Sequence, residues 1–167
     1  MREGFYTRPF ERIGSVIKMR IGVWDGGHLQ ECAIGDLRAN YDRSTWIDVA
    51  DPTAKDLEDI AGALQVPVHA LIGKLRSNYP HVDSYPEYTK IFSWHLSPIA
   101  ASRILSFDRN PVIVFTNGVS AITISHSRTG VKEAVAKDID SLSLAHISVP
   151  ARVTYLAMRH VLESYER

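Results

Sequence analysis

Residues Trp46–Leu64 read WIDVADPTAKDLEDIAGAL, and the way this run divides sets the rest of the chain. With Thr45, its opening Trp-Ile-Asp-Val-Ala is aromatic and β-branched and predicts a short strand. Asp51 and Pro52 interrupt it. Beyond them Leu57, Ile60, Ala61 and Leu64 recur at spacings of three and four, the period of an amphipathic helix. The acids Asp48, Asp51, Asp56, Glu58 and Asp59 raise the question of a metal or acid/base site. Thr53 followed by Asp56 fits a capping box, in which hydroxyl and carboxylate satisfy orphan N–H groups of the first turn. Asp51, Asp56, Glu58 and Asp59 fall where the helix macrodipole favours negative charge, and Lys55 stands one turn before Asp59, in reach of an ion pair. A calcium loop needs acids at alternate positions, a central Gly and a closing Glu, and that spacing is absent. The cluster reads as a helix start. Asp48 differs, because it lies inside the strand.

Working outward, Val16–Trp24 and Leu29–Ile34 flank DGGH and predict a hairpin, with Gly26 and Gly27 supplying positive φ. Pro67 opens a second helix, PVHALIGKL, since proline suits a helix's first turn. Pro80 and Pro86 bend an otherwise extended stretch through Ile99. SRILSF, PVIVFT and SAITIS follow as strands, the last two joined across Asn117–Gly118, a two-residue hairpin signal. TGVKEAVAKDID predicts a short helix. The last segment, from Val149, is a helix with Pro150 near its start and two apolar stripes: Val153, Leu156, Ala157 and Val161, then Tyr155, Met158, Leu162 and Tyr165. Both faces call for cover, and ESYER carries no stop signal. The expected fold is α+β, an α/β/α sandwich around a mixed, largely antiparallel sheet. Residues 1–15 are expected to form a flexible tail, 16–149 one α/β domain, and 150–167 the beginning of a longer helix.

At 167 residues the chain can bury a core without staples. Its 45% apolar and 23% charged residues are those of a soluble globular protein. Nineteen basic and nineteen acidic residues cancel, with no Lys/Arg run, which argues against nucleic acid as a partner. Cys32 stands alone and reads as a packing position in a reducing compartment. No apolar run reaches the ~20 residues of a membrane span, and the N-terminus has no signal core.

Catalytic and metal motifs are absent. No two of the seven histidines lie within four residues, so H-x-H and H-E-x-x-H do not occur, and one cysteine makes no structural zinc site. Neither a G-x-S-x-G elbow nor a phosphate loop appears. The residues predict a binding or regulatory domain, not an enzyme.

The order of these features resembles the N-terminal cytoplasmic domain of the CorA-type magnesium transporters. The residues that carry the resemblance are Trp46, Ile47 and Asp48; Pro52 and Thr53; Val66 and Pro67; then Tyr79, Pro80, His81, Val82 and Asp83. Ile122–His126 and the helix from Ala151 match the family's later strand and the start of its stalk helix. The resemblance covers about residue 16 to 167. It implies a regulatory domain at the cell membrane in the full-length protein, itself cytoplasmic, lacking most of the stalk and two membrane spans. It also implies a homopentamer in which magnesium or another divalent cation is cargo and regulator, with no tightly bound cofactor. The family often carries a Glu-Asp pair within the second helix, its Asp a cation-sensing ligand; here Leu71 and Ile72 occupy those positions. Sensing would fall to other acids, with Asp36, Asp48 and Asp83 as candidate metal ligands. A second reading is a complete cytosolic small-ligand-binding domain, or a hydrolase whose site is assembled from distant strands.

Overall fold

The computed structural model describes residues 18–39, 41, 44–71, 79–99 and 106–166. The expected tail at 1–15, Ile72, and most of SRILSF lie outside them. The strands are β1 (Arg20–Trp24), β2 (Leu29–Cys32), β3 (Thr45–Ala50), β4 (His81–Ser84), β5 (Thr89–Pro98), β6 (Phe107–Thr116) and β7 (Ser120–Ser125). They form one sheet in the order β2-β1-β3-β7-β6-β5-β4. The β3–β7 pair is parallel and every other pair antiparallel, so the sheet is mixed and largely antiparallel as expected.

Helices α1 (Ala54–Leu64) and α2 (Val68–Leu71) cover one face, and α3 (Val131–Asp138) and α4 (Val149–Glu163) the other. Alternation along the strands feeds the two cores. Ile47, Val49, Ile113, Phe115, Ile122 and Ile124 meet Leu57, Ile60, Leu64 and Leu71. Trp46, Val112, Val114 and Ala121 meet Val131, Val135, Val153, Leu156 and Val161. β3 is buried at all six positions because both faces are covered. Each fully buried Leu or Ile contributes about 1.5–3 kcal/mol of transfer free energy.

Thr53 caps α1 as its spacing predicts: the Asp56 N–H donates to Thr53 Oγ1 at 3.2 Å, and the Thr53 N–H donates to Asp56 Oδ2 at 2.8 Å. Lys55 pairs with Asp59 at 2.7 Å. Two turns differ from expectation. In the first hairpin only Gly26 has positive φ, at 112°; Gly27 does not. The β6–β7 connection is longer than the two-residue turn read from Asn117–Gly118. Thr116 pairs with Ala121, Gly118 alone takes positive φ, at 83°, and Asn117 Oδ1 accepts the N–H groups of Val119 and Ser120 at 3.1 and 2.9 Å. The left-handed Gly118 and the asparagine side chain close the loop together, with the Asn117 N–H donating to the Ser120 carbonyl at 3.3 Å.

On α4 the stripe at Val153, Leu156, Ala157 and Val161 is buried, while Tyr155, Leu162 and Tyr165 are exposed. Arg152 secures the connection from α3 to α4 by donating to the carbonyls of Ile147, Ile139 and Ala145 at 2.7, 3.1 and 3.1 Å. Among the described residues, no helix is long and apolar enough to cross a membrane.

Candidate functional site

The chain leaves β3 into α1 on one face and leaves β7 for α3 on the other. These neighbouring parallel strands therefore part to opposite sides at their carboxyl ends, the place where open α/β sheets form crevices. Asp51 sits there in a left-handed conformation, φ 56°, which is strained for a side chain-bearing residue. Its N–H donates to the Ser125 carbonyl at 2.9 Å. Its Oδ1 accepts from His126 Nδ1 at 3.0 Å and from the Ser127 N–H at 3.1 Å. The two side chains are 6% and 13% exposed, and Asp51 Oδ2 is buried without a hydrogen-bond partner. Burial pushes the carboxyl up, but hydrogen bonds from Ser127 and His126 outweigh it and hold the group below its usual value. The pair joins a proton donor to a carboxylate at the parallel seam.

A second polar group lies within the seam. Asp48 is aligned between Gly22 of β1 and Thr123 of β7 and is 1% exposed. Thr123 Oγ1 donates to Asp48 Oδ1 at 2.7 Å and accepts from Trp46 Nε1 at 2.9 Å. Burial pushes the Asp48 carboxyl up to about 6 against the opposing pull of Thr123.

The three candidate metal ligands are not brought together. Asp36 is exposed in a 3₁₀ turn (Ile34–Asp36), where its Oδ2 accepts the Ala33 N–H at 3.4 Å. Asp48 is enclosed beneath the α3–α4 layer and reaches no surface. Asp83 lies on edge strand β4, 3.6 Å from His81 Nε2, four strand spacings or about 19 Å from β3. Among the described residues no three His, Cys, Asp or Glu gather to hold a metal ion. Leu71 is 0% exposed in the core.

The other residues of the ordered pattern have varied places. Trp46 and Pro52 are buried, Thr53 is the α1 cap, Pro67 precedes α2, Pro80 precedes β4, and Val82 is 62% exposed. The sequence offered little to single out Asp51 and His126. Asp51 reads as one more helix-start acid, and its partner is 75 residues away. The described surface also carries an open hollow of about 510 Å³ lined by Arg20, Glu31, Cys32 and Asp36 among others, and a groove of about 380 Å³ along α4 between Tyr155 and Glu166.

No protein-family model matches the chain, and no curated protein matches it. Solved structures do. The soluble domain of CorA from Methanocaldococcus jannaschii superposes with a TM-score of 0.56 at 18% identity, over 93% of this chain and 60% of that one. The full-length CmaX protein gives 0.62 at 13%, over 88% and 46%. The ZntB cytoplasmic domain from Vibrio parahaemolyticus RIMD 2210633 gives 0.57 at 13%, over 89% and 59%. The chain thus spans between about half and three-fifths of the length of these structures. At such identities the likeness shows a shared fold, and the resemblance read in the sequence holds at that level.

Proposed function

We propose that this chain is the cytoplasmic regulatory domain of a CorA-like divalent-cation transporter, and that it couples intracellular cation level to gating of a pore formed elsewhere in the full-length protein. The observation that supports this most is the fold likeness over 93% of the chain to a domain named as the soluble part of CorA. On this reading the domain catalyses nothing and binds no nucleic acid. It assembles as a homopentamer, is tethered to the membrane by spans beyond Arg167, and has magnesium or a related divalent ion as cargo and regulator.

The regulatory ion then needs ligands other than the residue at position 71, whose side chain is enclosed in the core. Of the candidate acids, Asp48 is enclosed as well, which leaves Asp36 and Asp83 to face a neighbouring subunit. Hard cations take carboxylate oxygens and water, and a cation favouring one assembly shifts its population by its differential affinity.

The test is divalent-ion flux into vesicles holding the full-length protein, at rising magnesium on the domain side. Flux that falls as magnesium rises supports the proposal. Absence of any divalent flux, or a coding sequence ending at Arg167, overturns it in favour of a complete cytosolic binding protein.

A further inference from the structure

Among the described residues, β4 ends the sheet, and no strand lies beyond it. The Tyr85 N–H donates to the Tyr88 carbonyl at 2.8 Å, at the mouth of the turn into β5. Bonds between antiparallel strands recur at every second residue. His81 and Asp83, opposite Phe92 and Lys90, therefore bond toward β5, while the N–H and carbonyl groups of Val82 and Ser84 point away from the sheet. Such an edge is a template for another strand. Pro80 and Pro86 bracket it and confine any pairing to the residues around Val82.

The side chains on this edge are apolar and symmetrically placed. Val82 is 62% exposed, and Tyr79 and Tyr85, three residues to either side, are 75% and 48% exposed. His81 and Asp83 stand one residue to either side and point to the other face. The His81 ring stacks on Phe92 with centroids 5.3 Å apart. Its Nδ1 donates to the Tyr79 carbonyl at 3.1 Å, and its Nε2 lies 3.6 Å from Asp83 Oδ2. A base and an acid thus lie side by side along the open edge.

We propose that β4 pairs antiparallel with β4 of a second copy of this chain, about a two-fold axis through Val82. This register sets His81 opposite Asp83 of the second copy on both sides of the axis. It sets Tyr79 opposite Tyr85 in the same way, and Val82 opposite itself. Acid–base and aromatic pairs facing across antiparallel strands stabilise a ladder, and like charges oppose it. The backbone fits the same register. Val82 exchanges two hydrogen bonds with its counterpart, and each Ser84 N–H reaches the Pro80 carbonyl of the other copy. The missing proline donor then falls only at the ends of the ladder.

Other axes fare worse. An axis at Asp83 brings the two carboxylates directly opposite each other. An axis at His81 opposes the two imidazoles and sets Val82 against Pro80, which has no N–H to give. The contact is short and belongs with weak, transient interfaces. A two-fold contact closes with two copies, so it cannot build a five-membered ring and stands apart from the transport reading.

The experiment is sedimentation of the 167-residue chain as its concentration rises from about 10 μM to about 1 mM. A reversible rise in mass is expected. Val82→Lys, which places like charges on the axis at an exposed position, should weaken that association at least about tenfold. A constant mass, or an association that Val82→Lys leaves unchanged, overturns the pairing. The register is read by mild oxidation in a Cys32→Ser background. Val82→Cys should cross-link to its counterpart, because the paired Cα atoms lie about 5.5 Å apart, within the range of about 4.4–6.8 Å that a disulfide spans. Ser84→Cys also lies on the open edge, but its counterpart is about 14 Å away, four residues along the ladder. It should cross-link at least about tenfold more slowly. Equal rates at the two positions, or no cross-link at Val82→Cys, overturn the proposal.

Discussion

Asp51 and His126 lie 75 residues apart in the chain and 3.0 Å apart in space, joining the carboxyl ends of the two parallel strands β3 and β7. The left-handed backbone of Asp51 turns its carboxylate away from the α1 terminus and toward β7. Replacing it by alanine removes two hydrogen bonds and leaves the strained φ in place, so Asp51→Ala should cost about 2–3 kcal/mol in denaturant unfolding. Because the folded carboxyl is held below its usual value, its contribution is present above about pH 4 and is lost as pH falls through the folded value. Asp51→Asn should therefore flatten the acid limb of the stability curve. An unchanged acid limb would contradict the assignment.

Asp48 carries the opposite sign. Its carboxyl rises from 3.8 to about 6 on folding, so the folded state holds the proton more tightly than the unfolded chain. Stability from this group is therefore full below about pH 4 and declines as pH rises through about 6. Asp48→Asn removes the buried charge, and its stability relative to wild type should climb by up to about 3 kcal/mol between acid and neutral pH. Thermal unfolding of both proteins across that range checks the sign.

Thr123 serves both Trp46 and Asp48 through one hydroxyl. Thr123→Val keeps the volume but strands a buried indole N–H and a buried carboxylate. A loss of about 2–4 kcal/mol is expected. A loss below about 1 kcal/mol would mean that the indole and carboxylate find other partners.

Leu71 tests the ion chemistry. If the position could still serve as a cation ligand, Leu71→Asp would bring a magnesium-dependent rise in Tm. Its 0% exposure instead predicts that an acid there unfolds the domain by about 3 kcal/mol or more. For the wild-type domain, magnesium at millimolar levels should leave Tm nearly flat, since only binding to the native state raises it.

The structure also locates where sequence reading succeeds. Thr45–Ala50 and Ser120–Ser125 coincide with the strands read from their β-branched runs. The Thr53–Asp56 capping box is present with both of its bonds. These features depend on residues within one turn or one strand of each other. The Asn117–Gly118 hairpin is legible as a reversal, but its loop type is not, because only Gly118 takes the left-handed backbone while Asn117 contributes side-chain hydrogen bonds instead.

The sequence by itself determined the local elements, their order and the helix start that absorbs most of the acids in WIDVADPTAKDLEDIAGAL, since caps, turns and periodicity act over a few residues. Only the tertiary structure decided that β3 and β7 run parallel as neighbours, that Asp48 is enclosed beside Thr123, and that Asp51 answers His126 rather than its own helix. Those outcomes rest on pairing across 75 residues or more and on burial between layers. The physical reason is that desolvation and long-range register are properties of the packed sheet, and no stretch of the chain carries them alone.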